Sequence, residues 1–256
     1  MTSSTPPAAP PLGLVFTSLL RADFLVFLKH RRALIISMVL PVFLLVSTSS
    51  DKATHSFGGA GFIIGLAIAY GLLSTSLIGY ALTVARDREK GVFQRLRVTP
   101  APTWTIMTSR LAMQAVANLI IAIVAVIIGS QIHHISPSAA QYALVLAVSI
   151  LAGAVFLSIG QALVGLVKSA DSVQAAARVL FAALILLGLL GQTGALGSFW
   201  GSVARWSPVG VVMTLFNGVL NLHAWYSRDT LSLVACLGYI VVFAGIGIRW
   251  FQWDAR

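Results

Sequence analysis

The chain has 256 residues, 58% of them hydrophobic and 9% charged, with a mean hydropathy of +0.92 and a net charge of +10. A soluble domain carries roughly a quarter charged residues, so this composition excludes a water-facing globular surface and points to a polytopic membrane protein. The single cysteine, Cys236, excludes an intrachain disulfide and a cysteine-cluster metal site, and no metal site is expected.

Residues 1–11, MTSSTPPAAPP, have the Pro, Ser and Thr content of a disordered tail. They carry no basic segment ahead of a short apolar core, so a cleaved signal is not expected. Residues 12–32 are apolar but interrupted by Arg21 and Asp23 and closed by Lys29, Arg31 and Arg32. Such a stretch is predicted to lie as a helix in the headgroup plane, its basic side chains reaching phosphates.

Six spans are predicted, over about 33–50, 57–85, 111–130, 139–167, 173–199 and 231–248. Each is near or above the ~20 residues that cross a ~30 Å hydrocarbon core. The second and fourth are longer, so they tilt or project beyond the bilayer. None shows the two-residue alternation of a barrel strand, so the expected fold is all-α, with residues 12–256 forming one membrane domain. Residues 201–228 contain VVMTLFNGVLNLHAWY, flanked by Pro208 and His223 and too short for a span. They are predicted to form an external re-entrant or surface helix pair.

The basic residues divide unequally between the two sides of this topology. Fourteen fall on one: Arg21, Lys29, Arg31, Arg32, Arg86, Arg88, Lys90, Arg95, Arg97, Arg110, Lys168, Arg178, Arg249 and Arg256. Three, Lys52, Arg205 and Arg228, fall on the other. The asymmetry predicts a multi-pass protein of the cytoplasmic membrane with both termini in the cytoplasm, and it accounts for the net charge without nucleic-acid binding.

No Asp, Glu, Lys or Arg lies near the middle of a predicted span, which argues against a proton-driven carrier and against an intramembrane protease or metalloenzyme. The adjacent His133 and His134 read as a solvated loop pair. Lys168-Ser169 is preceded by Val167, not by the Gly that a phosphate-binding loop needs, so the chain is not expected to hydrolyse ATP itself. Uncharged polar residues do occur within the spans: Ser74, Thr75, Ser76, Gln114, Asn118, Gln161 and Gln192. Singly, each fits interhelical hydrogen bonding worth ~1 kcal/mol. Together they are candidates to line the path of an amphiphilic substrate. Gly61 and Gly65, four apart, allow close helix contact within the chain or between subunits.

Between the second and third spans, residues 86–104 break this apolar pattern. Arg86, Asp87, Arg88, Glu89, Lys90, Arg95 and Arg97 cluster there, with Arg110 just beyond. Gly91 breaks the chain after the charged turn, and Pro100 and Pro102 stop any helix running through them. Between these breaks Val92, Phe93 and Leu96 share one helical face while Gln94, Arg95 and Arg97 face elsewhere. A loop that only set topology would need the charges but not this patterned helix, which reads as a partner contact.

The stretch Arg88-Glu89-Lys90-Gly91, then Leu96, then Thr99-Pro100, resembles the E-R-E-x-G-T-x-x-x-L-x-x-T-P signature of ABC type 2 exporter permeases. Val92 stands where Thr is usual. Trp206-Ser207-Pro208 and the following VGVVMTLFNG resemble that family's S-P-x-x-x-x-x-x-x-x-x-G segment, with Asn217 where Arg is common. The resemblance implies a six-span unit that pairs with a second copy or a related permease and binds two cytoplasmic ATPase subunits, which hold ATP and Mg. It implies that Glu89, Gly91, Val92, Phe93 and Leu96 contact the ATPase as a coupling helix, with Arg88 and Arg95 at the rim. The basic helix from Leu14 to Arg32 would be the connecting helix, and Pro208 to Leu222, including Asn217, the re-entrant region. The function expected is export of a hydrophobic or amphiphilic compound, such as a drug, natural product or lipid. Export of a polysaccharide or lipid-linked glycan is the second reading, and a six-helix membrane enzyme or assembly factor the third.

Overall fold

The computed structural model describes residues 31–50, 59–92, 94, 103–193, 197–221 and 227–250, together with Gly13, Thr17, Ser18, Arg21 and Leu25. The described residues are helical, with no strand among them. In chain order the helices are α1 (Arg31–Ser47), α2 (Ala60–Leu73), a π-helical segment (Ser74–Tyr80), α3 (Ala81–Glu89) and α4 (Thr103–Ile132). They continue with α5 (Ala139–Leu166), α6 (Ala170–Thr193), α7 (Gly197–Trp206), α8 (Pro208–Leu220) and α9 (Ser227–Trp250).

Five stretches are long and apolar enough to cross a membrane: the continuous rod Ala60–Glu89, Thr108–Ile132 of α4, α5, Ala170–Leu189 of α6, and α9. The first predicted span, about 33–50, falls on α1, whose 17 residues make a helix about 25 Å long. Arg31 and Arg32 are part of this helix. Of that segment, Gly13, Thr17, Ser18, Arg21 and Leu25 are helical and exposed, and the Thr17 hydroxyl donates to the Gly13 carbonyl. Lys29 lies outside the described residues.

The rod formed by α2, the π segment and α3 is the axis of the bundle. In its most apolar stretch 83% of residues are buried, against 17% for α9. The reason is compositional: AGFIIGLAIAYGLL has no polar face to turn outward, so it packs on all sides. The helices α1, α4, α5, α6 and α8 surround it. Gly61 and Gly65 fit it to α8, within the chain. A Cβ on Gly65 would stand 2.6 Å from Phe216 Cβ, and one on Gly61 3.1 Å from Leu220 Cβ. The π segment displaces the backbone towards α5, where Gly160 leaves room for the Ser76 carbonyl; a Cβ there would meet it at 2.8 Å.

The region predicted as re-entrant is a bent pair. Between α7 and α8 the axis turns by 76° at Ser207. Ser207 caps α8 by accepting from the Gly210 N–H at 3.1 Å, and Pro208 takes the first helical position, where its missing N–H costs nothing. Gly197, at φ +76°, opens α7, so the predicted fifth span, to about residue 199, overlaps the start of this helix.

Candidate functional site

The charged block is helical where a loop is expected. Helix α3 runs through Arg86, Asp87, Arg88 and Glu89 before Gly91, at φ +66°, ends it. That positive φ is the left-handed conformation of a helix C-terminus, which glycine adopts without strain. The break predicted at Gly91 is therefore present, and the charged residues before it continue the helix. On the far side the described residues resume at Thr103, already within α4.

Four residues of α3, Ala81, Val84, Ala85 and Arg88, are buried at spacings of three and four. The first three pack on Leu157 and Val164 of α5 and on Ala170 and Val173 of α6. Arg88 extends this stripe past the end of α5. Its guanidinium, 4% exposed, donates to the carbonyls of Val164 at 2.9 Å, Val167 at 2.7 Å and Lys168 at 2.6 Å. The last carbonyls of a helix have no intrahelical partner and carry its negative dipole end, so a cation there satisfies both. Arg88 is thus an internal clamp, not a rim residue on a docking face.

Glu89 mirrors it on the next helix. Its Oε1 accepts from the Ala170 N–H at 2.5 Å, placing an anion at the positive N-terminus of α6. Ser169 caps the same end, its hydroxyl accepting from the Ser172 N–H at 3.1 Å. The two neighbouring side chains therefore hold both halves of the α5–α6 junction. A third contact closes the other side: Arg110 Nη1 of α4 donates to Asp87 Oδ2 at 2.5 Å. Three consecutive residues, Asp87, Arg88 and Glu89, fasten the end of the central rod to α4, α5 and α6.

Of the other predicted coupling residues, Gly91 and Val92 are half-buried and Gln94 is helical and exposed. Phe93, Arg95 and Leu96 lie outside the described residues. The Asp87–Arg110 pair was missed by sequence reasoning, which saw the charges but had no distance between residues 23 apart in the chain.

The candidate path residues divide. Thr75, Ser76, Gln114 and Asn118 come together between the π segment and α4. Asn118, 2% exposed, accepts at Oδ1 from the Thr75 hydroxyl at 2.9 Å and from Gln114 Nε2 at 3.3 Å, and donates from Nδ2 to Ser76 Oγ at 3.1 Å. Gln161 of α5 accepts from the Tyr80 hydroxyl at 2.9 Å. Ser74 is half-buried, and the side chain of Gln192 lies outside the described residues. Thr75 and Ser76 thus bond across to α4, and Tyr80 across to α5. Pro208 and Asn217 belong to α8, where Asn217 Oδ1 accepts from Asn221 Nδ2 at 2.8 Å. Among the described residues no group of three metal-ligating side chains occurs.

The described helices form a multi-span bundle with a bent helix pair before its last span and a fastened charged elbow. The sequence matches the family described as ABC-2 type transporter over residues 15–221, and the chain belongs to that family. Comparison with curated proteins gives no match. The chain is thus the permease subunit of an ABC transporter, a membrane component that is not itself catalytic and works with ABC ATPase subunits.

Proposed function

We propose that this permease exports a hydrophobic or amphiphilic compound across the cytoplasmic membrane, driven by ATP hydrolysis in a separate cytoplasmic ATPase subunit. The charged end of the rod faces the cytoplasm with both termini, as the fourteen-to-three division of basic residues supports. ATP and Mg are held by the ATPase and not by this chain. Two copies of the permease form the translocating unit. The N-terminal segment with Arg21, Lys29, Arg31 and Arg32 acts as the connecting helix at the headgroup surface.

The observation that carries this reading is the threefold fastening of the charged elbow. A segment that only oriented the chain in the membrane would need no such bracing. Fastened as it is, the end of α3 at Gly91 moves together with α4, α5 and α6 when pushed. The ATPase presses on the face of Gly91, Val92, Phe93 and Leu96, with Arg95 at its rim. Arg88 and Glu89, at the end of α3, pass the displacement on to α5 and α6. The test is copurification of the permease with its ATPase after the paired change Phe93→Ala and Leu96→Ala. Loss of assembly is expected; intact assembly with intact substrate-stimulated ATP hydrolysis overturns the assignment.

A further inference from the structure

The central rod carries a residue to spare. Ser74–Tyr80 is π-helical, seven residues wound between two stretches of α-helix. A π turn, bonded i→i+5, holds one residue more than the α-helix around it needs. Each residue of an α-helix adds about 100° of turn and about 1.5 Å of rise. The rod therefore stores one residue of register between its outer half and the charged elbow. Both ends of the segment are latched. At the outer end Thr75 and Ser76 bond Asn118 of α4, whose amide fills a notch in α5: a Cβ on Gly153 would stand 2.5 Å from Asn118 Nδ2. At the inner end the Tyr80 hydroxyl donates to Gln161 Oε1 of α5 at 2.9 Å. Hydroxyls also stand ready for the backbone. Thr83 donates to the Gly79 carbonyl at 2.8 Å, and Thr75 Oγ1 lies 3.0 Å from the Gly71 carbonyl, so its one proton can serve Asn118 or the backbone. Side chains of this kind satisfy carbonyls freed where a membrane helix departs from α geometry.

Two fastened ends decide what the spare residue can do. Straightening the π turn into α-helix would rotate everything beyond it by about 100°. That would pull Arg88 off the Val164, Val167 and Lys168 carbonyls and Glu89 off the Ala170 N–H. Moving the π turn along the rod leaves both ends in place, because only the residues between its old and new positions rotate. Outward movement is blocked. Gly61–Leu73 are all buried, and a Cβ on Gly71 would stand 2.5 Å from Ile121 Cγ2 and 3.2 Å from Pro41 Cγ. A close-packed core of this kind has no room for a rotated side chain. Towards the elbow the rod is looser: Gly79 and Thr83 are exposed and Leu82 is half-buried.

We propose that the π turn is a movable register defect that shifts by about one turn towards the elbow when the elbow is pressed. The residues between its two positions, Tyr80 among them, rotate by about 100°. Tyr80 then leaves Gln161, and the inner half of the rod separates from α5 while the elbow and the outer half keep their bonds. Packed helices switch between discrete arrangements and do not deform continuously, so the device has two states. Its trigger rests on the reading of the elbow as the place where the ATPase presses.

The test uses the transporter assembled with its ATPase in lipid nanodiscs and begins by deleting one residue. Deletion of Gly79 removes the spare residue and lets the rod close as a continuous α-helix with both ends in register. This variant is expected to insert, to bind the ATPase and to unfold at nearly the parent temperature. Deletion of the buried Ala152 from α5, an α-helix with no π turn, rotates one end of that helix and is expected to abolish folding. Equal loss of folding in the two deletions overturns the spare residue. A fluorotyrosine incorporated at position 80 alone reads the movement. Adding ATP and Mg is expected to shift its fluorine resonance in the parent and to leave it unchanged in the Gly79 deletion. A resonance that ATP leaves unchanged in the parent, or shifts equally in the deletion variant, overturns the moving turn. Intact assembly after Phe93→Ala and Leu96→Ala, with a resonance that still shifts, refutes the coupling reading alone.

Discussion

Replacing Arg88 by Ala is the sharpest perturbation of the elbow. It removes three bonds from one buried guanidinium, to the carbonyls of Val164, Val167 and Lys168. Each hydrogen bond to a charged group contributes about 1.5–3 kcal/mol, and a cation at a partly buried helix C-terminus up to about 2 kcal/mol. These do not sum, because water enters the truncated site and rebinds carbonyls near the surface. A net loss of roughly 2–4 kcal/mol is expected, at the upper end of single substitutions. Arg88→Lys retains the charge but is a compact donor that cannot span three carbonyls, so it should restore about half of this. Two measurements check the reasoning: unfolding of the purified chain in detergent, and hydrogen exchange over residues 166–173. The Ala170 amide is the most informative probe, because Glu89 loses its fixed position when its neighbour is truncated. In the full complex, Arg88→Ala should still bind the ATPase but lose substrate-stimulated hydrolysis. Unchanged stability and unchanged exchange in Arg88→Ala would refute the clamp.

Four further outcomes follow from the packing and the charges. Asn118→Leu removes the hub of the polar cluster and leaves the Thr75 and Ser76 hydroxyls facing an apolar group; a loss of about 1–3 kcal/mol is expected in the same unfolding assay. Gly65→Leu overpacks the contact with Phe216 and should cost about 1–3 kcal/mol or push α8 off the rod, read as a changed crosslinking rate between cysteines on the two helices. A double-mutant cycle on Asp87 and Arg110, both partly exposed, should give a coupling energy of only about 0.5–1 kcal/mol. Burial and the neighbouring His134 hold the His133 pKa below its ordinary 6.5. Its folded-state value is depressed, so the unfolded chain takes up protons first. Stability is retained above pH 6.5 and falls as pH drops through the folded value; His133→Gln should flatten that part of the pH–stability profile.

Much of the architecture is written in local apolar runs. Ala139–Leu166 has boundaries within one residue of the predicted fourth span, since Ser138 and Gln141 form a capping box at one end. The apolar run gives way to Lys168-Ser169 at the other. The break at Gly91 and the bend before Pro208 were legible for the same reason: glycine and proline act on the backbone directly. The elbow was legible as a place but not as an arrangement. Asp87, Arg88 and Glu89 look alike in sequence, as solvated charges, yet Arg88 is buried while Glu89 is exposed. The signal that separates them is the stripe Ala81, Val84, Ala85, Arg88, which continues an apolar period into a charged residue. The π segment left no such trace, because its extra backbone turn is accommodated by Gly160 on another helix.

The central claim is that the segment beyond Gly91 is where the ATPase presses. A photo-crosslinking amino acid at position 94, helical and exposed, tests it most directly in the intact transporter. Irradiation should join the permease to the ATPase subunit, with a yield that changes when ATP and Mg are added. The same probe at position 241, on the exposed apolar flank of α9, should not. Equal capture at both positions, or no ATPase captured from position 94, would contradict the account.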